Sequence, residues 1–223
     1  MNSRVQNPVY IGEVVQNARV FNLRHWRTDA SQISKMEPLL QTVADLFSLL
    51  RLRQIEYSLV GGIALLQYIE GRNTEDIDLI IAASVLQNLP EVDIVHQDDD
   101  FARGQFRGLQ VDFLLTRNAL FKHVQQNYVT TQHFIEQEIS CATVEGLLLL
   151  KLYALPALYR MGNFARVGLY ENDIATLLHD HRPDLAPLFE ELAHHLSAAD
   201  LAAVREVVRD IEGRIARFQQ NNL

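Results

Sequence analysis

From Met36 to Arg53 the apolar residues Leu39, Leu40, Val43, Leu46, Phe47 and Leu50 recur three and four apart. That spacing lines one face of a helix. Ile55 to Val60 reads as a short strand that Gly61-Gly62 ends, and the apolar run from Ile63 to Ile69 predicts a helix stopping near Glu70. Asp76 to Ala82 reads as a second strand, apolar beyond its acids as in a sheet interior. Phe101 to Arg107 and Leu109 to Leu115 flank Gly108 and predict an antiparallel hairpin. A short helix over Asn118 to Gln126 and a strand over His133 to Ala142 follow. After Thr143 the pattern turns helical, with helices expected over Thr143–Leu155, Leu169–His179, Asp184–Leu196 and Ala198–Phe218, the last capped by Ser197. The first thirty-odd residues show no clean period and read as an arm packed on the body, with a partner or nucleic-acid contact as the alternative.

The predicted fold class is therefore α+β, a mixed sheet with flanking helices followed by a C-terminal helical subdomain. Three segments result: an N-terminal arm over 1–35, an α/β core over 36–142 and a helical part over 143–223.

The 223 residues include 48% hydrophobic and 22% charged ones, ordinary for a globular chain able to bury a real core. No apolar stretch reaches the roughly 18 residues of a membrane span, so no membrane association is expected. The N-terminus shows no export pattern, and the single cysteine, Cys141, is expected to be a buried structural thiol; both suit the cytoplasm. A net charge of −8, from 20 basic and 28 acidic residues, argues against a surface that is basic throughout and grips nucleic acid by its phosphates. A local basic patch remains compatible with it.

The candidate chemistry lies between Tyr57 and Ile81. On a strand, Asp76 and Asp78 point to the same face. Two carboxylates about 4 Å apart repel by roughly 4 kcal/mol at an effective dielectric near 20, so a cation must offset them or one must take a proton. Oxygen-only ligands beside a glycine turn suit Mg²⁺, which binds through one or two carboxylates plus substrate phosphates. Asp112, embedded in the apolar strand Leu109–Leu115, is the third acid; inside such a strand it needs a partner. The plainer reading is a strand-start turn with solvated acids.

Gly61 and Gly62 at a strand–helix turn, Asp76-Ile77-Asp78 on the next strand and Asp112 on a later one together resemble the nucleotidyltransferase superfamily, the polymerase-β-like fold. The spelling Arg72-x-Thr74-x-Asp76-Ile77-Asp78 looks most like the AbiEii-type toxin branch of toxin–antitoxin systems. The match covers roughly Ile55 to Leu115 and extends more loosely to Leu178. Ile63 stands where the family often has serine or threonine, so that hydroxyl contact to the triphosphate is missing.

The resemblance implies an NTP substrate and two Mg²⁺ ions held by Asp76, Asp78 and Asp112. It implies nucleotide binding by Gly61, Gly62, Arg72, Thr74 and Lys151, with Asp173 or Asp112 helping to deprotonate an acceptor hydroxyl. The acceptor would be RNA, tRNA, protein or a small molecule, and an antitoxin protein would be the partner. Lys151 lies in a helix that is apolar all round, among Leu147, Leu148, Ala154 and Leu155. On its own terms it must snorkel, neutralise or meet an anion from elsewhere.

A nucleotide-binding module without turnover, serving a partner surface, is the rival from another class; a structural protein with fortuitous acids is the third. Arg160 and Arg166 read equally as phosphate contacts or ordinary loop arginines. His179, His181, His194 and His195 lack zinc-site spacing, and Asp98-Asp99-Asp100 reads as a solvated turn.

Overall fold

A computed structural model describes residues 36–69, 76–134 and 137–220. The expected arm over 1–35, and Arg72 and Thr74 with it, lie outside the described residues. The chain divides into two compact units, through Thr143 and from Val144 onward.

In the first unit, α1 (Met36–Leu52) leads through a turn to β1 (Tyr57–Val60), which runs directly into the short helix α2 (Gly61–Leu65). Then come β2 (Asp76–Ile81), a 3₁₀ segment (Ala83–Asn88), β3 (Asp93–Gln97), β4 (Phe101–Phe106) and β5 (Leu109–Leu115). The unit closes with α3 (Ala119–Asn127), β6 (Val129–Phe134) and β7 (Gln137–Ala142). The seven strands form one mixed sheet in the order β3-β4-β5-β2-β1-β7-β6. β2 sits at its centre, antiparallel to β1 and parallel to β5. Its apolar end, Leu79, Ile80 and Ile81, is fully buried, as a central strand covered on both faces requires.

The helices fasten to the sheet through both packing and polar contacts. From α1, Val43, Leu46, Phe47 and Leu50 are buried, Phe47 stacks on Tyr57 at 5.6 Å, and Ser48 Oγ meets Gln137 Nε2 at 2.7 Å. Asn118 caps α3 by accepting from the amides of Leu120 and Phe121 at 3.0 and 3.3 Å, and Gln125 Nε2 donates to the Ile80 carbonyl at 3.1 Å.

The sequence pattern misplaces several boundaries. The helix expected through Ile69 is α2 alone and gives way to turns from Leu66, where Tyr68 donates its hydroxyl to the Ala142 carbonyl at 3.0 Å. The single strand expected over His133–Ala142 is the end of β6 and all of β7, which pair antiparallel with each other. Strand β3 has no counterpart in the expectation. Every one of its residues is exposed, so it carries no alternation to read.

The second unit is helical throughout its described residues: α4 (Val144–Arg160), α5 (Phe164–His181), α6 (Leu185–Ala193) and α7 (Ala198–Gln220). Helix α4 continues past the expected end at Leu155 with Pro156 inside it. Proline gives up one backbone hydrogen bond there, while Leu155, Pro156 and Leu158 are buried in compensation. Side chains of Asn163 and Asp184 cap α5 and α6, and Ser197 Oγ accepts from the Asp200 amide at 3.1 Å at the start of α7.

Candidate metal and nucleotide site

The site is built by strand register. Parallel pairing sets Asp78 opposite Asp112 and Asp76 opposite Gln110, and antiparallel pairing sets Val60 opposite Asp78. Side chains alternate along β2 and β5, so Ile77, Val111 and Phe113 fill the core while Asp76, Asp78, Gln110 and Asp112 share the partly open face. One carboxylate oxygen from each of Asp76, Asp78 and Asp112 lies within 4.8 Å of the others, and this is the one group of three or more candidate ligands among the described residues. All three acids are of intermediate burial, shielded from bulk water yet reachable. A hard divalent cation fits this donor set: three carboxylates, oxygen only, on rigid neighbouring strands.

The turn from β1 into α2 holds Asp78 directly. The Gly62 amide donates to Asp78 Oδ2 at 3.3 Å. Gly61 has φ +63°, and a Cβ there would sit 1.8 Å from that same Oδ2 and 2.3 Å from Cγ. Glycine is thus required twice over, by the left-handed backbone and by the close approach of the carboxylate.

Arg103 completes the row. It stands opposite Asp112 in the β4–β5 pairing, and its guanidinium forks onto the carboxylate, Nε to Oδ1 and Nη2 to Oδ2, each at 2.7 Å. The Asp112 hydrogen bond and charge hold Arg103 protonated more firmly than usual; burial opposes this, and the charges of Asp76 and Asp78 add smaller contributions on the side of Asp112. Across four strands the sequence of side chains is therefore Val60, Asp78, Asp112, Arg103.

Lys151 and Asp173 come together in the second unit. Lys151 Nζ lies 2.7 Å from Asp173 Oδ2, with side chains 7% and 2% exposed, and 4.0 Å from the centroid of the Tyr170 ring. Lys151 therefore does not snorkel; α5 brings the anion to it. Asp173 lies mid-helix in α5. Arg160 pairs with Asp200 at 2.6 Å, and His195 with Glu191 at 2.7 Å. The Asp98 carboxylate accepts from the amides of Asp100 and Phe101 at 2.9 and 2.8 Å, the turn expected of that acidic run. Cys141 is fully buried, and burial pushes its thiol up to about 12.

No family model matches the chain, and no curated protein matches it in sequence. Among solved structures it is similar to an antigenic nucleotidyltransferase-like protein from Paracoccidioides brasiliensis, with 17% identity and a TM-score of 0.46 over 76% of this chain and 92% of that one. It is similar to the lincosamide antibiotic adenylyltransferase LnuA in its lincomycin-bound form, with 19% identity and a TM-score of 0.39 over 49% of this chain and 83% of that one. It is also similar to ANT(2'')-Ia in complex with adenylyl-2''-tobramycin, with 10% identity and a TM-score of 0.48 over 76% and 98%. Likenesses this distant leave any functional reading to rest on the site's own residues.

Arg103 is the site residue that the sequence reading passes over, although a signal for it exists. Arg107 and Gly108 both have positive φ, 49° and 81°, as a two-residue hairpin turn of the primed type demands. Such a turn sets Phe106 opposite Leu109, and counting back along both strands sets Arg103 opposite Asp112.

Proposed function

We propose that the protein is a Mg²⁺-dependent nucleotidyltransferase that moves a nucleoside monophosphate from an NTP to an acceptor hydroxyl on RNA, tRNA or protein. The observation that carries this reading is the clustering of Asp76, Asp78 and Asp112 beside a turn that only glycine can make. Asp76, Asp78 and Asp112 would hold the ions, two in the full form. When bound, the metal supplies charge neutralisation along the triphosphate and acidifies the acceptor hydroxyl.

The chain's own residues do the rest. Gly61 makes room for the Asp78 carboxylate and the Gly62 amide fixes its orientation, so that the turn carrying both glycines would present an ion-holding acid to an approaching phosphate. The acceptor oxygen attacks the α-phosphorus, the α–β bridging P–O bond breaks, and pyrophosphate leaves with that electron pair. The hydroxyl proton passes to Asp112. The Arg72-to-Asp78 spelling extends the proposal to a toxin of a toxin–antitoxin pair. The acidic balance of −8 favours a protein side chain or a tRNA end over a long RNA track.

One observation favours a second reading. Arg103 forks onto both oxygens of Asp112, which makes this carboxylate a poorer proton acceptor and favours nucleotide binding without turnover. Incubating the protein with each α-labelled NTP, Mg²⁺ and tRNA, cell lysate or small hydroxyl acceptors separates the two. Label transfer that disappears in the Asp76→Ala, Asp78→Ala double variant supports the enzyme. Nucleotide binding without transfer to any acceptor supports the silent module, and a folded wild type that binds no NTP sinks both.

A further inference from the structure

We propose that Arg103 is a resident cation of the three-acid site, displaced from Asp112 when a divalent cation enters together with a phosphate-bearing ligand. The inference rests on the reading of Asp76, Asp78 and Asp112 as a metal site and goes beyond it, to how that site is kept closed to free metal.

Three acids from adjacent strands cannot share a few ångströms without a counter-charge. One counter-charge among the described residues is the guanidinium of Arg103, bidentate on Asp112 at 2.7 Å through two nitrogens. This fork is the strongest geometry available between the two side-chain types, and it engages both oxygens of Asp112. A cation binding at Asp112 therefore competes with the fork for the charge of this carboxylate, and it also meets the positive charge of Arg103 across the cluster.

Exposure shows which partner moves. The Arg103 side chain is 49% exposed and that of Asp112 14%. The acid is fixed on the inner strand, while the arginine stands on the open face of β4 beside exposed Phe101 and Gln105. The guanidinium can swing on its flexible stem without a change in backbone. Once off Asp112, it needs another anion, and a triphosphate delivered with the metal supplies one of the geometry that arginine forks onto. Free metal brings no such anion. The site should consequently discriminate against bare divalent cation and favour the metal–nucleotide complex.

The test is titration with Mn²⁺ alone, followed by electron paramagnetic resonance, on the full chain and on Arg103→Gln and Arg103→Lys. Removing one cation next to a divalent site should tighten Mn²⁺ binding about tenfold in Arg103→Gln. Arg103→Lys, which keeps the charge but loses the fork, should fall between; it also decides the matter if Arg103→Gln fails to fold by circular dichroism. With Mn²⁺ plus a non-hydrolysable NTP the order should reverse, the wild type binding more tightly than Arg103→Gln. Equal or weaker Mn²⁺ binding in both variants overturns the displacement while leaving the metal site standing. Absence of Mn²⁺ binding at millimolar concentration in all three proteins overturns the metal site itself, and the proposed function with it.

Discussion

The Lys151–Asp173 pair gives a prediction whose sign depends on how many partners are removed. At 2.7 Å and an effective dielectric near 20 the attraction is about 6 kcal/mol. Desolvating two ions whose side chains are 7% and 2% exposed costs several kcal/mol for each, so the two effects nearly cancel. Removing one partner ends the attraction and leaves the other charge buried. Lys151→Met or Asp173→Asn alone should thus cost about 3–5 kcal/mol. The double change Lys151→Met, Asp173→Leu exchanges the ions for apolar groups and should return to within about 1 kcal/mol of wild type, or exceed it. The assay is urea unfolding followed by far-ultraviolet circular dichroism, to which the four helices of the second unit contribute strongly. For a slope of about 2 kcal/mol per molar urea, each single variant should lower the midpoint by roughly 2 M. A double variant as unstable as the worse single one, or single variants costing less than about 1 kcal/mol, would refute the reasoning.

Other residues yield shorter predictions. Gly61→Ala must hold a left-handed backbone and push Asp78 aside, so it should lose roughly 1–3 kcal/mol of stability together with Mn²⁺ binding; an alanine variant normal in melting and metal titration would contradict this. Burial that holds the Cys141 thiol up at about 12 keeps it neutral. Iodoacetamide at pH 8 should leave it unmodified in the native protein and alkylate it in urea, as mass spectrometry would read. Asn118→Ala should cost about 1 kcal/mol by leaving the Leu120 and Phe121 amides without their cap, measured as a lower thermal midpoint.

What could be read from the chain and what could not divides along burial. The helix over Met36–Leu52, the hairpin of β4 and β5 and the acids of β2 all have one face committed to the core, and their alternation or helical spacing is visible in the sequence. Strand β3 lies at the sheet edge with every residue exposed, so pairing defines it and side-chain pattern does not. The helix expected to end at Leu155 runs on to Arg160, because burial of Leu155 and Leu158 outweighs the hydrogen bond lost at Pro156. At the site, the face shared by Asp76 and Asp78 follows from their spacing alone. Their closeness to Asp112 depends on a parallel pairing between segments far apart in sequence, which spacing cannot supply. Lys151 shows the same limit: its helix reveals a buried cation, but only the packing of α4 on α5 reveals its anion.

The parallel register that sets Asp78 against Asp112 has a mechanical consequence. A bound ion bridging these carboxylates would act as a clasp across the β2–β5 seam, closing the long loop between them that carries the 3₁₀ segment and the outer strands. Ligand binding would then be linked to local unfolding of that seam. Amide hydrogens along β2 and β5 should exchange more slowly with ligand present, while those of exposed β3 keep their rate. The strand pair that builds the site would become, when filled, the last part of the sheet to come undone.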